Sequence, residues 1–166
     1  VGCIAVVGKY IFADDRDTPD TVEQVFDFPN FTLTYAVRHA NAFTSGSATS
    51  DHGMQFFGTL GTMLLNRDGF QIIGEGKQPE TIKSQAGLEA GWGTHQRNFI
   101  ECLRSRRAPN CTMLEGHRAT TACQLANIAY RTGHKIRWDA TKEIIVNDVQ
   151  ATKLMTKQYR APWTLS

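Results

Sequence analysis

The spacing of apolar residues along this chain changes once. Between the first strand and the helical block the strand-like segments have a period of two, and from His95 onward apolar residues recur every third and fourth position. A run of strand patterns followed by a run of helix patterns leaves few architectures, because a parallel sheet needs strands and helices to take turns along the chain. The expected class is α+β, a mostly antiparallel open-faced β-sheet of about five to seven strands with helices packed on one face.

The strand half opens V-G-C-I-A-V-V-G, an apolar run that reads as a first strand and is far shorter than the roughly 18 to 20 residues that span a bilayer. Phe31, Leu33, Tyr35 and Val37 alternate with Thr32, Thr34, Ala36 and Arg38, which predicts a half-buried strand. The preceding V-E-Q-V-F-D-F stops at Pro29-Asn30, so residues 21 to 28 and 31 to 39 are expected to form an antiparallel hairpin. A second meander runs from Met54 to Gly74, with turns at Gly58 to Gly61 and at Asp68-Gly69, both of which tolerate positive φ. The polar stretches at 41 to 53 and 75 to 93 read as excursions from the sheet.

In the helical half, Phe99, Ile100 and Leu103 share one face of a helix that Pro109 ends. A second helix, from about Glu115, places Ala119, Ala122, Cys123, Ala126, Ala129 and Tyr130 at steps of three and four, a stripe of mostly small side chains that permits close packing. Gly133 supplies its C-terminal stop, and K-I-R-W-D reads as a closing strand. No repeat or internal boundary is visible, so residues 1–166 are expected to be a single domain.

A net charge of +2, with 20% charged residues, gives no pull toward nucleic acid or a membrane surface. R-S-R-R at 104 to 107 does not extend into a basic stripe with stacking aromatics, and cations there complement the end of a helix dipole. Cys3, Cys102, Cys111 and Cys123 lack metal-ligand spacing and are expected to be reduced thiols in a cytoplasmic protein, with Cys102 and Cys123 acting as small buried hydrophobes. The carboxylates of D-D-R-D-T-P-D at 14 to 20 lack the glycine and terminal Glu of a calcium loop, which favours a turn capped by Asp and stiffened by Pro19. His117, at a helix N-terminus, is the histidine best placed to act while neutral, since the dipole disfavours imidazolium. A capping or packing role competes with that reading.

The wording of several segments narrows the field. N-F-I-E-C-L-R-S-R-R-A-P-N, then E-G-H-R-A-T-T-A-C-Q-L-A-N-I-A-Y-R-T-G, then K-I-R-W-D and the tail Y-R-A-P-W-T-L resemble the C-terminal half of the glucose-fructose oxidoreductase and inositol dehydrogenase family. D-D-R-D-T-P-D, F-T-L-T-Y and F-F-G-T-L-G-T-M-L-L fit as well, so the resemblance covers nearly the whole chain. It implies the second of two domains, the one that carries substrate contacts and the oligomer interface of an NAD(P)-dependent enzyme acting on a sugar, polyol or related carbohydrate. The family's Glu-Lys-Pro and Gly-x-His-x-x-Asp segments are absent, as is any Gly-x-Gly-x-x-Gly after a strand, the turn that brings amides against a pyrophosphate. On this reading the chain follows directly on the active site, is not catalytic in isolation and binds no cofactor alone, NAD(P) belonging to the full-length enzyme. The resemblance makes Arg16 and Asp17 substrate contacts near the cleft, and a neutral His117 could orient a sugar hydroxyl. It also implies a homo-oligomer through the open sheet face, for which Phe26, Phe28, Phe56 and Phe57 are the expected aromatic surface unless they are internal core. The alternative is a stand-alone ligand-binding or interaction module of the same fold.

Overall fold

The computed structural model describes residues 1–41, 52–66, 69–76, 81–84 and 91–164. In chain order they form β1 (Gly2–Gly8), β2 (Thr21–Asp27), β3 (Thr32–Arg38), β4 (Met54–Phe57), β5 (Gly61–Asn66), β6 (Gly69–Gly74), β7 (Thr81–Ser84), α1 (Gly91–Ser105), α2 (Met113–Thr132), β8 (Ile136–Asp139), β9 (Ile144–Ile145) and α3 (Val149–Lys153). The class is α+β, with every strand pair antiparallel. In place of one sheet of five to seven strands the described residues form two, ordered β3-β2-β1-β8-β9 and β4-β5-β6-β7. The chain divides into two compact units, Val1–Ala40 with Met113–Ser166, and Asn41–Thr112.

The first unit holds the core. The expected hairpin at Pro29-Asn30 is β2 and β3, with Phe26 opposite Leu33. On the other side of β2, Phe26 faces Cys3 of β1, which in turn faces Ile136 of β8. Directly opposed residues share a sheet face, so Phe26, Cys3 and Ile136 line one face, and α2 packs there on β1 and β8. Ala126 and Ala129 are fully buried, as the small-residue stripe predicts, with Leu125 and Ile128 beside them. The first two turns of α2 contribute nothing to this core, and Ala119, Cys123 and Tyr130 are exposed, because the buried face follows Ala122, Leu125, Ala126 and Ala129. Cys123 is therefore not the buried hydrophobe expected from its place in the stripe; the buried thiol is Cys3, and burial pushes it up to about 11.

Gly133 ends α2 as expected, at φ 73° with its N–H donating to the Ala129 carbonyl at 2.9 Å. The half-buried pattern expected of β3 is not met. It is an edge strand that α2 does not reach, and Phe31, Leu33 and Tyr35 are all exposed. Phe28, stacked on Phe31, packs at the margin of the core. Helix α3, not expected, starts at Asp148, whose Oδ1 accepts the Ala151 N–H at 2.8 Å and whose helix buries Ala151 completely.

The second unit contains the meander from Met54 to Gly74, extended by β7, which lies in the stretch read as an excursion. Four residues are too short for periodicity to declare a strand; the pairing of Ile72 with Ile82 does so. The expected excursion at 41 to 53 lies mostly outside the described residues, as does Asp68 of the expected Asp-Gly turn. The backbones of β5 and β6 approach so closely at Gly61 that a Cβ there would sit 2.6 Å from the Ile73 carbonyl oxygen. The register places Met54, Phe56, Met63, Leu65, Phe70, Ile72 and Ile82 on one face. Among the described residues of this unit none is fully buried, and Met54, Phe56 and Ile82 are each at least half exposed.

Candidate functional site

After Gly8 the chain leaves the sheet and returns at Thr21, its pairing partner. Asp20 closes that loop. Its buried carboxylate accepts the backbone N–H groups of Tyr10, Ile11 and Phe12 at 3.0, 2.8 and 3.1 Å and the Thr21 hydroxyl at 2.9 Å. Burial alone would raise its pKa, but the amides of Ile11, Phe12 and Tyr10, with the Thr21 hydroxyl, outweigh it and hold the group well below the usual carboxylate range. Asp20 is thus the capping Asp of the turn, in agreement with the turn reading of the acidic segment.

The loop so pinned displays Arg16 and Asp17. The Arg16 guanidinium pairs with Asp14, its Nε at 2.7 Å from Oδ2, and lies 4.7 Å above the centre of the Phe12 ring. Lys9 reaches the same segment, pairing with Asp14 at 3.1 Å and donating to the Arg16 carbonyl at 2.8 Å. The hydrogen bond from Arg16 holds Asp14 at about 2. Asp17 stands exposed beside this network. The loop therefore presents a positioned guanidinium and a carboxylate, a combination able to bind vicinal hydroxyls or an acidic group.

His117 lies elsewhere. Its Nε2 is 2.9 Å from Glu143 Oε1, in the turn between β8 and β9. That partner carboxylate, 26 residues on, could not be read from the sequence, since the contact depends on how the β8–β9 turn returns to the start of α2. Because Gly2 and Cys3 pair with Arg137 and Ile136, β1 runs from that turn toward Gly8. The loop with Arg16 and Asp17 and the pair of His117 with Glu143 consequently occupy opposite ends of the sheet, separated by the length of β1, about 20 Å. The structure does not bring the three candidates together.

In the second unit, α1 and the segment after it enclose a cleft of about 530 Å³ lined by His95, Asn98, Phe99, Pro109 and Cys111, among others. Asn98 braces it, its Oδ1 accepting the Asn110 N–H at 2.9 Å. The apolar stripe of α1 expected from sequence is present, yet Phe99, Ile100 and Leu103 remain about half exposed.

Comparison with known families gives one match. The profile of the oxidoreductase family, C-terminal alpha/beta domain, matches residues 66–165. This is more than half of the chain, which belongs to the Gfo/Idh/MocA oxidoreductase family as its C-terminal domain. No curated protein and no solved structure matches the chain. Among the described residues no helix is long and apolar enough to cross a membrane.

Proposed function

We propose that the chain as a whole serves as the substrate-facing and oligomerising domain of an NAD(P)-dependent oxidoreductase acting on a sugar, polyol or related carbohydrate. Membership of the family supports the oxidoreductase class. The observation that carries the oligomerising role is the apolar face of the second sheet, where seven large side chains stand together without a charge among them. A second copy of this chain is the occupant: two such faces, packed as an isologous pair, would bury about 1,000 Å² in total, at the lower bound for a specific interface. The open face of the first sheet is the weaker candidate, because Ile4, Val6 and Val25 there share the surface with the Glu23–Arg38 pair.

Of the aromatics expected at the interface, Phe56 lies on the apolar face, Phe57 on the opposite one, and Phe26 is in the core of the first unit. For the sugar we propose Arg16 and Asp17 as contacts, supported by the way Asp20 fixes their loop. His117 would need a separate ligand group, one β1 length away. The sequence holds no Gly-x-Gly-x-x-Gly segment, so no pyrophosphate turn and no hydride step are assigned to these residues. We place the protein in the cytoplasm, supported by four free cysteines.

Sedimentation velocity at micromolar concentration tests the proposal. The wild-type chain should sediment as a dimer or larger, and Phe56→Asp as a monomer, whereas Val6→Asp should leave the assembly intact. A monomeric wild type would contradict the oligomerising role. Thermal-shift screening against a panel of sugars, polyols and sugar acids tests the second half: a hit lost in Arg16→Ala supports the loop contact, and a hit unaffected by it removes Arg16 from the site.

A further inference from the structure

We propose that the protonated ring of His134 latches α3 to the end of α2, so that the chain from Asp148 onward is docked below neutral pH and loosened as the ring loses its proton. The inference is independent of the proposed substrate and oligomer. His134 directly follows the glycine that ends α2. Its Nδ1 is 3.0 Å from the Thr132 carbonyl oxygen and its Nε2 is 2.5 Å from Asp148 Oδ2. Both partners are acceptors only, and a neutral imidazole carries a single N–H. Only the imidazolium donates to both at once, so this geometry is that of the charged ring.

Asp148 connects the ring to the helix. While Oδ2 accepts from His134, Oδ1 accepts the Ala151 N–H at 2.8 Å, and its backbone carbonyl accepts the Thr152 N–H at 3.0 Å and hydroxyl at 2.6 Å. Five residues of helix do not persist alone in water. The N-cap and the burial of Ala151 against the core hold α3 in place. Loss of the ring proton leaves a nitrogen lone pair facing either the carboxylate or the carbonyl, and the side chain that sets the N-cap loses its charged partner.

The sign follows from both partners. The hydrogen bond that His134 donates to Asp148 raises the ring's pKa above its usual 6.5, and Asp148 is lowered from 3.8, first by the Ala151 N–H and then by His134. The His134 contribution is complete below pH 6.5 and disappears as pH rises through the folded-state value; the Asp148 contribution is present above pH 3.8 and disappears on acidification. The other charged side chains of the end of α2, of β8 and β9 with their connections, and of α3 are Arg131, Lys135, Arg137, Asp139, Lys142, Glu143 and Lys153, and Arg137 bonds neither member of the pair. Lys135 is held by Asp27 and Glu143 by His117, the Asp139 carboxylate accepts the Thr141 and Lys142 N–H groups, and neither Arg131 nor Lys153 bonds either member of the pair.

The test is an NMR titration of His134 combined with amide exchange of Ala151 and Thr152 between pH 6 and 9, corrected for intrinsic exchange rates. The variant Asp148→Asn keeps a good N-cap and removes the ionic partner. In the wild type the ring should titrate above 6.5, and protection of both amides should fall about tenfold across the range, the equivalent of one charge-assisted hydrogen bond. In Asp148→Asn the midpoint should move down and protection should not vary with pH. A wild-type midpoint at or below 6.5, or protection equally flat in both proteins, would overturn the latch.

Discussion

The two units of this chain use similar raw material and end in different states. In the first, strands of ordinary apolar content pack against a helix whose small side chains permit close approach, and Ile136, Cys3, Ala126, Ala129 and Ala151 are sealed from water. In the second, a sheet with seven large apolar side chains on one face has no described residue fully buried. A sheet face gains its hydrophobic stabilisation only from what covers it. The first unit carries its own cover in α2, while the described residues of the second unit include no helix packed on its sheet.

The largest effect should come from the sealed core. Ile136→Ala should lower stability by about 3 to 4 kcal/mol in urea unfolding, since it removes a fully buried side chain that cannot be replaced by solvent. Ile72→Ala, on the apolar face of the second sheet, should cost about 1 kcal/mol in dilute monomer and more as concentration rises. Equal costs for the two at low concentration would break the contrast between the units.

Asp20 comes next, because it satisfies three backbone amides at once. Asp20→Ala should lower Tm on the order of ten degrees, with the loss centred on residues 9 to 20. Its folded-state pKa is depressed, so its contribution is present above pH 3.8 and fades as pH falls through the lower value; acid unfolding of the wild type should be steeper than that of Asp20→Asn. Similar acid profiles for the two would remove Asp20 as the anchor.

Smaller effects probe the backbone. Gly133→Ala should cost about 1 kcal/mol, because φ 73° strains any residue with a Cβ even though space is open around it. Gly61→Ala should be at least as costly, since the added atom meets the Ile73 backbone, and its damage should appear in β5 and β6 while α2 stays protected. The smallest effect is expected at the exposed pair of His117 and Glu143, where a double-mutant cycle should give under about 1 kcal/mol.

Much of the fold was legible because local signals agreed with it. Pro29-Asn30 marked a hairpin, Gly133 a helix end, and the alanines of α2 a close-packed face. The misses of burial and sheet membership share a cause, which is that both depend on neighbours distant in sequence, while β7 and α3 are too short for periodicity to declare. Alternation in β3 indicated a buried face, yet the strand lies at an edge beyond the reach of α2. Cys123 fell within the small-residue stripe but outside the arc that meets the sheet. The meander from Met54 to Gly74 reads as part of a single sheet, although nothing in a meander says which sheet it will join. For the candidate site, the sequence marked the loop at 14 to 20 as a turn capped by Asp. It could not reveal that Asp20 alone is buried beneath it, that His117 has Glu143 as partner, or that β1 separates the two.

The proposed completion of the second sheet by another copy of the chain rests on the apolar face of β4 to β7. Amide hydrogen exchange across the whole chain at two protein concentrations, one below and one above the assembly range, tests it most directly. Protection in β5 and β6 should rise with concentration while β1, α2 and β8 remain unchanged. Protection in β5 and β6 that is already as high as in α2 at the lower concentration, and does not change at the higher, would contradict the account.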